Sequence, residues 1–161
     1  MDILVFKNDN VKGECQVDGF VDGIELLSYS HGVAMQVTGD VSNVERTSGR
    51  PNLQDFTISK YADSSTPIFN QKCCEGASIG DVVITIARNA GGAIVPFIVY
   101  TMTDVVVSSV SIGGGGGDKP VETVSLNFTS IQWTFTKQKS DATKEGNVSS
   151  KWDAKTNKLA S

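Results

Sequence analysis

Two apolar-rich runs joined by a glycine tract constrain this sequence more than any other feature. The stretch Val105–Lys137 reads VVVSSVSIGGGGGDKPVETVSLNFTSIQWTFTK. Both runs are rich in Val, Thr, Ile and aromatic residues, which fit the pleated, half-buried surface of a β-sheet. Glycines permit positive φ and a run of them does not sustain a helix, so the stretch predicts a long β-hairpin.

The apolar alternation changes face once in each arm of this hairpin. In the second arm the step falls at Thr129-Ser130, and in the run that feeds the first arm it falls at Thr103-Asp104. The midpoint of the two steps lies near Gly116-Gly117, inside the glycine tract, so the steps oppose each other if the arms pair. One hairpin then bends at one place and serves two sheets, which predicts a small two-sheet β-barrel.

The length of 161 residues suits a single domain, residues 1–161. We expect the barrel to occupy residues 1–139, with one flanking α-helix near residues 66–75. Thr66 is predicted to cap that helix, Pro67 suits its first position and Gly76 ends it. Residues 140–161 read as a polar tail, whose Trp152 is expected to anchor it to the body or to a neighbour.

Residues 24–38 read as one strand with two unlike faces. From Leu27 onward the odd positions are mostly bulky and apolar, whereas the even positions are small, wettable and uncharged. An uncharged wettable face suits the lining of a wide aqueous space, and an ordinary solvent-facing strand is the equally open alternative. The even positions are Ser28, Ser30, Gly32, Ala34, Gln36 and Thr38.

Further strands are predicted over Leu53–Lys60 and Asp81–Arg88, the second with Val82, Ile84 and Ile86 on one face. In the second arm of the hairpin Val124, Leu126 and Phe128 share one face before the step at Thr129-Ser130.

Composition and motifs weigh against several functional classes. A net charge of −4 and a pI near 4.9 disfavour a nucleic-acid partner. The longest apolar run contains Pro96, so no membrane insertion is expected, and Met1–Phe6 is too short for a signal peptide. With one histidine and no Cys-x-x-Cys we expect no metal, and Cys15, Cys73 and Cys74 are expected to be reduced thiols. His31 reads as a core or interface residue, so we expect no catalytic residues and no cofactor.

Several segments resemble the hemolysin-coregulated protein (Hcp) family of bacterial type VI secretion. These are Val11–Glu14, Gln54–Pro67, Val106–Ser111 before the glycine tract, Glu122–Phe128, and Lys151-Trp152. They occur in the order and spacing of the family and cover nearly the whole chain. The sequence departs from the family in the 38–52 loop, at Cys74, and at His31, where a tryptophan is common.

The resemblance implies a structural protein of the secretion tube that acts with copies of itself. Its partners are then a homo-hexameric ring, further stacked rings, the sheath and tip (spike) components, and effector proteins held in the lumen. It also implies a protein made in the bacterial cytoplasm and secreted by the machine. The lumen and cargo face corresponds to Ser28, Ser30, Gly32, Ala34 and Gln36. Contacts between rings are expected from the two loops that contain Asp40, Asn43, Arg46, Gly115 and Asp118.

Two other functions stay open at this level. A free secreted β-barrel that recognises a glycan or a host-surface partner would bind its ligand without forming a ring. An enzyme such as a hydrolase ranks last, because no acid or base is singled out and about 24 residues after the last predicted strand leave no room for a toxin domain.

Overall fold

The computed structural model describes residues 2–35, 49–138 and 144–159, and these residues are mostly in β-strands. One helix, α1, spans Thr66–Glu75. The strands are β1 Asp2–Lys7, β2 Ile24–Glu25, β3 Ser28–Ser30, β4 Val33–Ala34, β5 Asn52–Leu53, β6 Phe56–Tyr61, β7 Ser78–Ala90, β8 Ala93–Gly113, β9 Val121–Asn127, β10 Ser130–Gln138, β11 Lys144–Asp153 and β12 Lys158–Leu159.

The predicted long hairpin is confirmed. Strand β8 forms the first arm, and β9 and β10 form the second, with Gly113 opposite Val121 near the turn. The two predicted steps oppose each other, since Ser130 pairs with Thr103. Asp104 adopts a left-handed φ of 53°, and the Thr129 amide donates to the Thr103 carbonyl over 3.0 Å. The hairpin therefore bends at this point.

The bend divides the strands into two sheets that share β8. The long sheet has the order β12-β11-β10-β8-β7-β1-β2 and uses the first half of β8. The short sheet has the order β3-β6-β9-β8 and uses the half of β8 after the bend. All pairings are antiparallel, and β4 and β5 form a separate two-stranded ribbon.

The two sheets approach a barrel without continuous pairing around it. Between β2 and β3, Leu26 donates its amide to the Leu4 carbonyl in β1 and Leu27 donates to the Ser59 carbonyl in β6, at 2.9 and 2.7 Å. Leu26 and Leu27 belong to neither strand, so among the described residues single hydrogen bonds bridge the barrel here. We call this interruption between β2 and β3 the barrel gap. The fold class is the predicted two-sheet β architecture with a flanking helix, although the sheets are not closed.

The core fills the space between the two sheets. Its members come from the predicted apolar faces, because alternate residues of a strand point to one side. Val82 and Ile84 are fully buried, as are Val124 and Leu126, which confirms those faces. The rest of the buried cluster is Phe6, Val11, Ile24, Leu26, Phe56, Ile58, Phe69, Ile79, Met102, Val105, Val107, Phe128 and Ile131.

Helix α1 lies where the sequence predicts it, but its N-cap is a different residue. Ser65, rather than Thr66, is the N-cap, and Pro67 lies in the first turn. The Thr66 hydroxyl is committed elsewhere, since it donates to Glu122 over 2.7 Å. Gly76 ends the helix with a φ of 64°, and its amide donates to the Lys72 carbonyl. A left-handed glycine at this position is the common helix C-cap.

The helix is fixed by one aromatic contact and one buried ion pair. Phe69 is fully buried and meets the Phe6 ring edge-on at 5.6 Å. Lys60 in β6 is also fully buried, and its Nζ lies 3.0 Å from both Glu122 and Asp63. Burial raises the pKa of the Asp63 carboxyl, but hydrogen bonds from Ser65 and Lys60 outweigh it and hold the pKa below its ordinary value. These charges tie the start of α1 to the short sheet.

Three sequence expectations about strands are wrong. The single strand over residues 24–38 is broken into β2, β3 and β4, and the strand predicted from Leu53 to Lys60 is interrupted before β6. Both breaks follow from the change of partner at the barrel gap and at the β4–β5 ribbon.

The third wrong expectation is that residues 140–161 form a polar tail outside the sheets. Residues 144–153 form β11, which pairs with β10, so the barrel strands do not end at residue 139. Polar, Ser-rich sequence gave no alternation that could reveal this strand. The expected anchoring is confirmed, since Trp152 is half-buried opposite Ile131. No helix in the described part of the chain is long and apolar enough to cross a membrane.

Removing the buried cation should destabilise the fold strongly. Lys60→Met leaves the fully buried Glu122 carboxylate without its positive partner, and we expect a loss of about 3–5 kcal/mol in the free energy of unfolding. Urea unfolding at a single protomer concentration measures it. Lys72→Met is the control, because Lys72 pairs with Glu75 on the helix surface and its loss should leave stability near wild type. A Lys60→Met effect no larger than that of the control would contradict the role given to this pair.

Candidate functional site

Four strands of the short sheet carry the same three-residue pattern, a hydroxyl residue on each side of one apolar residue. The apolar residues Tyr29, Ile58, Val124 and Val110 pair with one another across β3, β6, β9 and β8. The four triplets therefore lie side by side in register. They are Ser28-Tyr29-Ser30, Thr57-Ile58-Ser59, Thr123-Val124-Ser125 and Ser109-Val110-Ser111.

The flanking hydroxyl residues form two rows across the outer side of this sheet. Directly paired residues of antiparallel strands project to the same side, so each row is continuous across all four strands. We call these eight residues the hydroxyl face. One row is Ser28, Ser59, Thr123 and Ser111, and the other is Ser30, Thr57, Ser125 and Ser109.

The hydroxyl face is open to solvent and carries no charged side chain. Ser28, Ser30, Ser109, Ser111 and Thr123 are exposed, and the remaining three are half-buried. The opposite side of the same strands is core, where Ile58 and Val124 are fully buried. The face thus combines a rigid apolar backing with a wettable, neutral surface.

A carboxylate beside the hydroxyl face accepts two side-chain hydrogen bonds. Asp55 accepts from the Ser108 hydroxyl over 2.8 Å and from the Asn127 side-chain amide over 3.0 Å. Ser108 sits at the bulge between Val107 and Ser109, where β8 has one residue more than β9. Asp55 therefore fastens the start of β6 to the strands beside it.

His31 lies directly after β3 in a group of aromatic rings. It stacks on Phe56 at 5.4 Å and 19°, and it meets Phe128 edge-on at 5.7 Å. Tyr100 and Trp133 complete the group at 6.4 and 6.3 Å. The site accepts a flat ring, which is consistent with histidine at a position where the resembled family often has tryptophan.

The burial of His31 favours its neutral form. Its Nδ1 lies 3.1 Å from the Gln54 carbonyl, so this nitrogen carries the proton. Nε2 is a buried acceptor that has no hydrogen-bond partner among the residues that the structure describes. Desolvation lowers the pKa of His31, and the hydrogen bond to Gln54 only partly opposes this shift. His31 is thus a packing residue, as the sequence predicts.

The predicted lumen residues do not share one continuous strand. Ser28 and Ser30 lie on the hydroxyl face, but β3 ends at Ser30. Gly32 is half-buried against Gln54, and Ala34 belongs to the separate β4–β5 ribbon. Gln36 lies outside the described residues.

The predicted inter-ring residues fall into two groups. Gly115 and Asp118 are exposed at the β8–β9 turn. Asp40, Asn43 and Arg46 lie outside the described residues.

Sequence reasoning missed six members of the hydroxyl face, in β6, β8 and β9. The signal was present in the repeated hydroxyl–apolar–hydroxyl triplets, but only pairing shows that the four triplets meet. The missed residues are Thr57, Ser59, Ser109, Ser111, Thr123 and Ser125.

The cysteines and acids of the described residues form no recognisable reactive centre. No three His, Cys, Asp or Glu side chains within this part of the chain are grouped to hold a metal ion. The three cysteines are free thiols. Cys15 is buried with its Sγ 3.9 Å from Glu25, and desolvation raises the pKa of its thiol. A protonated, buried thiol is a poor nucleophile.

Comparison with known proteins places the chain among type VI secretion proteins. Residues 5–135 match the family model described as type VI secretion system effector, Hcp. Over 144 residues the chain is 33% identical to Protein hcp1 of Pseudomonas aeruginosa, an alignment that covers 89% of this chain and 88% of that protein.

Solved structures share the fold. One described as the structure of a type six secretion system protein gives a TM-score of 0.93 at 24% identity, over 99% of this chain and 100% of that one. Hcp1 from Salmonella typhimurium gives 0.78 at 24% identity over 99% of each chain. A more distant likeness, TM-score 0.51 at 12% identity over 82% of this chain and 91% of the other, is to a chain of the six-fold symmetrised anti-feeding prophage baseplate.

The neutral His31 predicts a pH-dependent stability. Its pKa is lowered in the folded state, so the unfolded chain binds more protons, and stability rises with pH. Stability should therefore fall as the pH drops below about 6.5, the usual value for histidine, and level off below the lowered pKa. Urea unfolding from about pH 8 to about pH 5.5 measures this, with His31→Phe as the control. An identical pH profile for the wild type and His31→Phe would contradict it.

Proposed function

This chain belongs to the Hcp family of the type VI secretion system, and we propose that it closes into six-membered rings whose channel is lined by the hydroxyl face. Hcp proteins are secreted tube proteins of that machine, and the family is not an enzyme class. The in-register alignment of the four hydroxyl–apolar–hydroxyl triplets is the observation that carries the assignment of the channel wall.

The chemistry of the hydroxyl face suits a channel through which proteins move. Serine and threonine hydroxyls both donate and accept hydrogen bonds, so the wall is wetted by water or by any polar cargo surface. A wall of one charge would instead concentrate cargo of the opposite charge and hold it. The neutral face, with Asp55 already satisfied by two donors, supports the retention of varied effector proteins without tight binding.

Closure of a ring needs two different surfaces of the same chain to meet. A head-to-tail contact of this kind is heterologous, and a ring that survives ejection should bury on the order of 2,000 Å² or more at each interface. The chain exposes large apolar side chains on two distant flanks. Leu27 and Tyr61 are 43% and 47% exposed beside the barrel gap, whereas Phe135 and Val148 are 50% and 59% exposed on β10 and β11.

Six subunits and the stacking of rings are also part of the proposal. The likeness to a chain of a six-fold symmetrised baseplate supports six. We assign the contacts between rings to the β8–β9 turn, with Gly115 and Asp118, and to the loop with Asp40, Asn43 and Arg46. The stacked tube would contact the sheath and the spike, and the protein would be made in the bacterial cytoplasm and leave through the machine.

The ring is tested by the mass of the purified protein in solution. Multi-angle light scattering in dilute buffer should give six times the 17.1 kDa mass of the chain. A stable monomer would contradict the proposal. A monomer that binds a glycan or host-surface ligand saturably would favour the free binding module instead.

The channel wall is tested by a bulky charge on the hydroxyl face. Ser30→Arg should assemble to the wild-type mass but retain less effector protein, because the channel is narrowed and charged at this level. Asn70→Arg, at an exposed position of α1, is the matched control and should retain the wild-type amount. Quantitative mass spectrometry of rings purified from one secreting strain measures both. Loss of assembly in Ser30→Arg would place Ser30 in an interface and contradict its assignment to the channel.

A further inference from the structure

Charge is segregated between the two ends of the long sheet. Residues 2–35, which include β1 and β2, contain six acidic and two basic side chains in the sequence. Residues 144–159, which form β11 and β12, contain four basic and two acidic ones. Because β2 and β12 are the outermost strands of the order β12-β11-β10-β8-β7-β1-β2, the excess charges of opposite sign lie at opposite ends.

The opposite charges also share one face of that sheet. Glu25 pairs with Val5, and from there an unbroken line of paired residues crosses the sheet to Ser149 in β11. Lys151 lies two residues along from Ser149 and therefore projects to the same side as Glu25. Lys158 pairs with Asp153, which puts it on this side as well. The line is Glu25, Val5, Thr85, Val99, Thr134 and Ser149.

Each end of the sheet presents backbone that no described strand pairs with. Strand β1 pairs with β2 only at Val5 and Phe6, which leaves Asp2 and Ile3 open on that side. Strand β11 pairs with β12 only at its last two residues, Trp152 and Asp153. Open strand edges favour pairing with another chain unless they are covered.

Each end also offers apolar surface. Beside β1 an open groove of about 580 Å³ is lined by Ile3, Leu26, Leu27 and Tyr61, with Glu25 among its polar residues. Asp2 also lines it, and its carboxylate pairs with Arg88 over 3.4 Å. At the other end Val148 and Leu159 are 59% and 67% exposed. One end is thus a groove with Glu25 at its rim, and the other is an edge with exposed apolar side chains on one face and lysines on the other.

We propose that the acidic end of the long sheet in one protomer binds the basic end in the next, so that a second copy of this chain occupies the groove beside β1. This inference rests on the proposed ring and names its interface. Opposite charges attract at a head-to-tail contact, whereas two acidic or two basic ends repel each other. The charge pattern therefore favours the heterologous contact that closes a ring over a two-fold dimer made through identical ends.

The test reverses the charge of the side chains at each contact surface separately. Glu14 and Glu25 line one pocket beside Cys15, so Glu14→Lys with Glu25→Lys puts two lysines at this contact surface. Lys151→Glu with Lys158→Glu puts two glutamates at the other. In each variant alone the reversed side chains meet side chains of their own sign in the next copy, and we expect at least a ten-fold weaker assembly than wild type by light scattering. Mixed together, the two variants should form rings of alternating composition, with equal amounts of each by native mass spectrometry. A single chain with all four substitutions should also recover the ring.

Controls separate the interface from the fold and from net charge. Lys72→Glu lowers the net charge, as Lys151→Glu with Lys158→Glu does, and Glu75→Lys raises it, as Glu14→Lys with Glu25→Lys does. Both control positions lie on the surface of α1, and each control protein should assemble as wild type. Circular dichroism of each variant reports whether it is folded. Assembly of the wild type should also weaken as salt is raised, because salt screens the charges at the rim of the contact.

The outcomes distinguish this interface from the ring itself. Wild-type rings that are insensitive to salt, or end-reversed variants that assemble alone, overturn the interface and leave the ring in place. Folded variants that stay apart when mixed, together with a four-substitution chain that does not assemble, overturn it in the same way. A wild-type protein that is monomeric at every salt concentration overturns the ring and with it the interface.

Discussion

The bend in the β8 hairpin is the constraint on which the rest of the structure depends. Asp104 adopts a left-handed φ of 53°, which is costly for a residue with a side chain. Local hydrogen bonds support it: its carboxylate accepts from the Thr129 hydroxyl over 3.2 Å, and its amide donates to Asp81 over 3.4 Å. Because both arms turn at the same level, one strand belongs first to the long sheet and then to the short sheet. The core lies between them, and each sheet has a second face turned away from it.

Those two outer faces have different chemistry, and each suits a different contact of the proposed ring. The short sheet presents paired Ser and Thr, which fit water and a passing cargo. The long sheet presents Glu25 at one end and Lys151 at the other, which fit a neighbour that approaches from the side. The proposed ring needs both kinds of surface at once, and the bend in the hairpin lets one domain present both.

Much of this fold could be predicted from the sequence, because alternation within a strand is a local signal. Residues close in the sequence predict the steps at Thr103 and Thr129. They also predict the core faces around Ile84 and Val124 and the helix after Ser65. The interruption after Glu25 could not be predicted, because it arises where the chain changes partner from β1 to β6. Strand β11 could not be predicted for a similar reason. It has no apolar alternation of its own, and its pairing with β10 places it in the sheet. Of the hydroxyl face, Ser28 and Ser30 could be predicted, but the other six residues join them only through pairing.

The orientation of each protomer about the ring axis is the most direct measure of the central claim. A cryo-electron microscopy map of the purified assembly, at a resolution that separates strands, gives the distance of every residue from that axis. We predict that Ser30, Thr57 and Ser125 border the central channel, with Ile58 and Val124 behind them and away from the axis. A map in which β10 and β11 line the channel, or in which the hydroxyl face lies on the outer circumference, would contradict the account.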